Sequence, residues 1–80
     1  MSTLAMRLDP DAIDVEVTES ALRLTLADGR ELSAPVEWFP RLRDATVAQR
    51  QNWRLIGGGE GVHWPDLDED VAVSTLLRSV

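Results

Sequence analysis

Apolar and polar residues alternate through residues 13–18 and again through residues 22–27, and this pattern constrains the fold more than any other feature. A repeat of two places the apolar side chains of a β-strand on one face. Each stretch therefore predicts a half-buried strand. A four-residue loop over 18–21 would pair the two strands in antiparallel register, with Ile13 opposite Leu26.

An Asp-Gly dipeptide at positions 28–29 predicts a hairpin turn after the second strand. A two-residue turn would set apolar residues opposite polar ones. A three-residue loop, with Gly29 in the left-handed conformation, instead sets Leu24 opposite Leu32 and keeps one face apolar. Residues 13–34 are therefore expected to form a three-stranded antiparallel meander.

The second half of the chain predicts short helices and a second hairpin. Pro40 and its aromatic neighbours indicate a helical turn that faces the core, and residues 46–49 match the capping box of another helix. Residues 53–56 and 62–64 predict a hairpin joined by glycines, and Ser74 is a typical N-cap for a final helix. The expected fold class is α+β: a small antiparallel β-meander plus a short β-hairpin, packed with two or three short helices.

All 80 residues are expected to form a single domain, because so short a chain builds one core. The predicted divisions are a flexible N-terminal arm over 1–12, the meander over 13–34, short helices over 36–52, and the hairpin, acidic corner and final helix over 53–77. No signal peptide and no apolar run of roughly 20 residues is recognisable. A cytoplasmic, bacterial-type protein without membrane contact is therefore expected.

Charge is distributed unevenly along this chain of net charge −6. Every basic residue is an arginine, and residues 41–56 hold four arginines and one acid between two acidic flanks. One interpretation is pairing of these arginines with carboxylates inside the fold, and the other is contact with an acidic partner or a phosphate backbone. Because the whole chain is acidic, direct nucleic-acid binding is expected to be unfavourable.

Residues 57–70 combine a glycine run, the single histidine and several carboxylates. Asp66, Asp68 and Asp70 have the spacing of the first calcium ligands of an EF-hand, but the later glycine and glutamate are missing. Without cysteine or a second histidine, His63 cannot complete a zinc site, so a structural imidazole bonded to a carboxylate is favoured. A metal or hydrolytic site of His63, Asp66, Asp68 and Asp70 stays as the alternative, and no cofactor is predicted.

The four aromatic residues, Trp38, Phe39, Trp53 and Trp64, are expected to lie mostly in the core of so small a domain. They could also stack on bases, as in proteins that bind single strands. An exposed one among them would mark a contact surface.

Several motifs together resemble the bacterial family known as domain of unknown function 2442. They are LADGR at 26–30, VEWFPRL at 36–42 and GxGxGVHWPDLDED at 57–70. The resemblance implies an α+β domain without assigned catalytic residues. It also implies relatives that append a DNA-binding helix-turn-helix, or whose genes lie beside another short protein in toxin–antitoxin-like pairs. Because the sequence stops at Val80, no such helix-turn-helix is expected here.

The predicted function is a non-enzymatic protein-interaction or regulatory module, the acidic member of a toxin–antitoxin-like pair. Its partner would be another protein encoded by an adjacent gene, with a second copy of the chain as an alternative. The competing hypotheses are a divalent-metal-binding protein or hydrolase, and a weak nucleic-acid binder that uses the central arginines. The partner-binding candidates are Arg41, Arg43, Arg50, Arg54, Asp66, Asp68, Glu69 and Asp70. The structural motif residues are Gly29, Trp38, Phe39, Pro40, Gly59, Gly61, His63, Trp64 and Pro65.

Overall fold

The first half of the protein folds as the predicted meander in this computed structural model, which describes residues 8–79. Gly29, with φ of 92°, lies in the loop between the second and third strands, and Leu24 pairs with Leu32 as expected. The antiparallel strands lie side by side in chain order: β1 (Ala12–Val17), β2 (Ala21–Leu26) and β3 (Glu31–Pro35).

The start of β1 differs from the predicted register. Ala12 pairs with Leu26, and the register shifts before Asp14, so that Ile13 is an extra residue that is 56% exposed. The expected pairing of Ile13 with Leu26 is therefore wrong. The backbone N–H of Ala12 donates to the carbonyl of Gly59 at 2.8 Å, which fixes the start of β1 against a turn of the second sheet and favours the bulge.

The segment before β1 is attached to the meander. The N–H of Asp9 donates to the Asp28 carboxylate at 2.9 Å, and the N–H of Ala27 donates to the carbonyl of Asp11 at 2.8 Å. Ala12 is buried. The predicted loose arm is therefore wrong for residues 9–12, because these bonds tie them to the β2–β3 turn, and its first seven residues lie outside the described part of the chain.

The second half of the protein forms another three-stranded antiparallel sheet. Its first two strands confirm the predicted hairpin, but the third consists of residues that were expected to form an acidic corner. The reversal before the third strand uses Asp68 at φ of 50°. The strands are β4 (Arg54–Ile56), β5 (Gly61–Trp64) and β6 (Glu69–Ala72), in that order across the sheet.

Short helices connect and flank the two sheets. Thr46 and Gln49 form the predicted capping box, with the N–H of Gln49 donating to the Thr46 hydroxyl at 3.1 Å. The last helix begins directly after β6 and Ser74 lies inside it, so the expectation that Ser74 is its N-cap is wrong. The helices are a 3-10 helix (Val36–Trp38), α1 (Pro40–Arg43), α2 (Val47–Gln51) and α3 (Val73–Ser79). None within residues 8–79 is long and apolar enough to cross a membrane.

A single core joins the meander, the second sheet and the helices. Trp64 is its largest fully buried side chain, and the Trp64 indole N–H donates to the carbonyl of Arg50 at 3.1 Å. Trp53 and Phe39 are half-buried. Trp38 is 50% exposed, so the expectation that this aromatic turns inward is wrong. The α+β class is confirmed, with a second sheet of three strands instead of two.

Candidate functional site

Two of the four central arginines bind backbone carbonyls. Arg41 Nη1 donates to the carbonyl of Asp68 at 2.6 Å, next to the left-handed turn before β6. Arg50 donates to the carbonyls of Leu42 and Arg43, at 3.0 and 2.7 Å, and so joins α2 to the end of α1. Hydrogen bonds from a charged donor to carbonyls that end helices and turns stabilise those ends. These two arginines are therefore engaged within the fold.

The other two central arginines lie on the surface. Arg43 pairs with the adjacent Asp44 at 2.9 Å, and this contact raises the pKa of Arg43 and lowers the pKa of Asp44. Arg54 is exposed, and its side chain has no hydrogen-bond or ion-pair partner within residues 8–79. The predicted pairing of the central arginines with carboxylates of the acidic flanks is therefore wrong within residues 8–79. Backbone carbonyls bind Arg41 and Arg50, and the adjacent Asp44 binds Arg43.

The acidic residues of the predicted corner have separate partners. Asp66 accepts a hydrogen bond from the amide of Asn52 at 3.0 Å, whereas Asp70 contacts His63 Nδ1 across the β5–β6 pair. Glu69 is half-buried. Across residues 8–79 no three His, Cys, Asp or Glu side chains are grouped so that they could hold a metal ion. The structure does not bring the predicted metal ligands together.

A row of polar side chains crosses the face of the second sheet that carries Arg54 and Asp70. Arg54 pairs with His63 in the β4–β5 register, and His63 pairs with Asp70 in the β5–β6 register. A shallow groove lies over this row, and its lining contains no serine, threonine or cysteine. An imidazole held by a carboxylate resembles part of a catalytic triad, but this groove offers it no nucleophile to activate.

Gly59, in the turn between β4 and β5, packs directly against the start of β1. Its φ is 117°, and a Cβ at this position would lie 2.6 Å from the backbone oxygen of Ala12. Only glycine accommodates both the conformation and the contact. The glycine run is thus explained by the turn between β4 and β5 and by its contact with β1.

An apolar groove beside β6 is the feature that sequence reasoning did not locate. Trp38, Phe39 and the four residues of β6 line it, and among its lining residues Val71 and Leu76 are buried. We call this space of about 440 Å³ the aromatic groove. Its lining includes Glu69 and Asp70 but no basic residue. The signal in the sequence is Trp38 itself, which lies three residues after Pro35 and two before Pro40, in an interval too short for a regular α-helix.

Two solved structures share this fold. The crystal structure of a protein of unknown function from Rhodospirillum rubrum ATCC 11170 has a TM-score of 0.71 and 22% identity, over 88% of this chain and 87% of that one. The solution NMR structure of an uncharacterized protein from Chromobacterium violaceum has a TM-score of 0.71 and 27% identity, over 85% of this chain. The matched region spans 64% of the Chromobacterium protein.

No curated protein matches this sequence. The family model described as protein of unknown function (DUF2442) matches residues 12–80, which is most of the chain. The resemblance inferred from the motifs is confirmed, and the chain belongs to the DUF2442 family.

Proposed function

We propose that this protein is a non-enzymatic interaction module that binds a cationic segment of another protein in the aromatic groove. The observation that carries the proposal is the 50% exposure of Trp38. A domain of 80 residues with four aromatic side chains needs them for its core. An indole left half in water beside an apolar groove is therefore best explained by a partner that covers it.

The charges around the groove indicate which partner fits. Glu69 and Asp70 line it, and Glu37 is exposed next to Trp38 in the sequence. A lysine or arginine side chain could contact the face of the indole and the Glu69 carboxylate together, whereas the Asp70 carboxylate contacts His63 on the other face of the sheet. The net charge of −6 would also attract a basic partner over a longer range and speed association.

The biological setting proposed for this interaction is a two-protein pair in which this chain is the acidic member. The partner would be the basic product of an adjacent gene, as in toxin–antitoxin-like pairs. Nucleic-acid binding gains less support, because Arg41 and Arg50 are occupied by backbone carbonyls. A metal-dependent role also gains less, because the described residues hold no suitable ligand group.

The first experiment tests the groove with the adjacent gene product. We expect co-purification of the two proteins and a dissociation constant in the micromolar range or tighter. Trp38→Ala should weaken the complex at least tenfold, because aromatic anchors dominate such interfaces. Val47→Ala is the matched control, since Val47 is 66% exposed on α2 and should leave the affinity unchanged. An equally tight complex with Trp38→Ala would refute the role of the groove.

The second experiment tests the charge requirement. Glu69→Gln removes one carboxylate from the groove, and Glu31→Gln removes one from the start of β3. Both substitutions change the net charge of the protein by the same amount. We expect the first variant to weaken binding and the second to leave it nearly unchanged at physiological salt, because screening confines the effect to nearby charges. Equal losses for both variants would mean that only the overall charge matters.

A further inference from the structure

We infer that the cationic segment binds as an extended strand that pairs with β6 and adds a fourth strand to the second sheet. This inference rests on the proposed function and specifies how the groove is occupied. The sheet order β4-β5-β6 leaves β6 at an edge, with β5 as its neighbour on one side. Edge strands present unpaired N–H and C=O groups that can bind an incoming strand.

The register of β6 shows which backbone groups point outward. The N–H of Val73 donates to the carbonyl of Glu60 at 2.9 Å, so these two residues form a hydrogen-bonded pair. Such pairs alternate along an antiparallel ladder, which makes Val71 the next residue bonded to β5. The N–H and C=O groups of Asp70 and the N–H of Ala72 therefore face the open edge, whereas the C=O of Ala72 accepts the first hydrogen bond of α3.

The aromatic groove runs along this same edge. All four residues of β6 line it, together with Trp38 and Phe39. Successive side chains of an added strand would point alternately toward the apolar border at Val71 and Leu76 and toward the sheet face that carries Asp70. The site thus selects an extended segment in which apolar and basic residues alternate.

Charge distinguishes this occupant from a second copy of the chain. Two copies of β6 paired antiparallel would place the Asp70 carboxylates either directly opposite each other or on a diagonal of the pair, with no basic residue of β6 to offset them. Like charges placed opposite each other across a strand pair are destabilising. Acidic residues on an edge therefore oppose self-pairing and favour a cationic strand.

The test uses a synthetic capped peptide of alternating arginine and valine as the probe, titrated into isotope-labelled protein and followed by NMR. We expect shifts of the Trp38 indole signal, and slowed hydrogen exchange at the amides of Asp70 and Ala72. A peptide with the same sequence but with N-methyl groups on alternate residues cannot donate along one edge. It should bind at least tenfold more weakly, because the hydrogen bond to the Asp70 carbonyl is lost and the methyl groups obstruct strand pairing.

A protein variant provides the reciprocal test. Ala72→Pro removes an outward N–H but no bond to β5, and it precedes α3, where proline is tolerated. It should weaken peptide binding at least tenfold, whereas the control Ala72→Ser should not. The N-methylated peptide keeps the test decisive if the proline variant does not fold.

The outcomes separate this inference from the proposed function. Equal binding of both peptides, with loss on Trp38→Ala, would refute strand pairing and leave the interaction role intact. Absence of binding by both the peptides and the adjacent gene product would refute both. Self-association with protected Asp70 and Ala72 amides would assign the edge to a second copy and overturn the inference.

Discussion

Asp9 and Asp28 are joined by two hydrogen bonds, although they lie 19 positions apart. The Asp28 carboxylate accepts from the N–H of Asp9 at 2.9 Å, and the Asp28 N–H donates to the carbonyl of Asp9 at 3.3 Å. The same carboxylate accepts from Arg30 and is only 6% exposed. One side chain thus fixes both the β2–β3 turn and the segment that leads into β1.

The first prediction concerns the acid titration of Asp28. The hydrogen bond from the Arg30 side chain, with smaller contributions from the backbone N–H groups of Arg30 and Asp9, lowers the pKa of Asp28 from 3.8 to about 2. A lowered pKa means that the folded state favours the ionised form. Its stabilising contribution is therefore complete above about pH 4 and is lost as the pH falls toward 2.

Carboxyl NMR titration of the folded protein is the direct measurement. We expect a midpoint near 2 for Asp28, and Arg30→Gln should move that midpoint upward because the charged donor is removed. The variant Arg23→Gln is a suitable control, since Arg23 pairs with Glu16 instead. A midpoint close to 3.8 in the unmodified protein would contradict the hydrogen-bond network.

The second prediction contrasts two tryptophans. Trp64→Ala should lower the free energy of unfolding by about 3 to 5 kcal/mol, because a fully buried side chain and the hydrogen bond to the Arg50 carbonyl are lost. Trp38→Ala should change it by only about 0.5 kcal/mol, because Trp38 is half in water. Urea denaturation of both variants measures the difference. Similar losses would show that Trp38 belongs to the core.

The third prediction contrasts two glycines of one turn. Gly58→Ala meets open space at φ of 71°, so it should destabilise the protein by about 1 to 2 kcal/mol through backbone strain alone. Gly59→Ala adds a collision with the Ala12 carbonyl and should reduce stability by about 3 kcal/mol or more. Thermal and urea unfolding would show this order. Equal values would mean that the contact between the turn and β1 is absent in solution.

The fourth prediction separates structural from surface arginines. Arg50→Ala should lower the free energy of unfolding by about 1 to 3 kcal/mol, because two carbonyls lose a charged donor. Arg54→Ala should change it by about 0.5 kcal/mol or less, since the side chain is exposed. Chemical denaturation again provides the measurement. A large effect at Arg54 would reveal a partner that the structure does not show.

Local patterns in the sequence were sufficient for much of the fold. Alternation of apolar residues set the β1–β2 pairing from Val15 onward, because a strand with one buried face tolerates no slip of one residue. The left-handed position of Gly29 and the capping box at Thr46 likewise follow from neighbours within a few positions. The single imidazole was expected to contact a carboxylate, and His63 contacts Asp70.

The features that sequence reasoning missed depend on contacts between distant segments. Residues 69–72 are mostly acidic or small and carry little strand signal, but β5 supplies the partner that makes them β6. Ile13 is displaced because Ala12 bonds to Gly59, which lies 47 positions later. The position of the 3-10 helix relative to β6 likewise determines the exposure of Trp38. The aromatic groove depends on the same arrangement, because Trp38 and β6 both line it.

The sequence by itself determined the secondary structure of segments whose hydrogen-bond and packing partners lie nearby in the chain. These are the meander, the first hairpin of the second sheet and the capped helix α2. Only the tertiary structure decided which polar segment becomes an edge strand and which aromatic stays in water. The physical reason is that strand pairing and burial between segments far apart in the sequence depend on the positions of both segments. The hydrophobic periodicity of one segment contains no information about the position of the other.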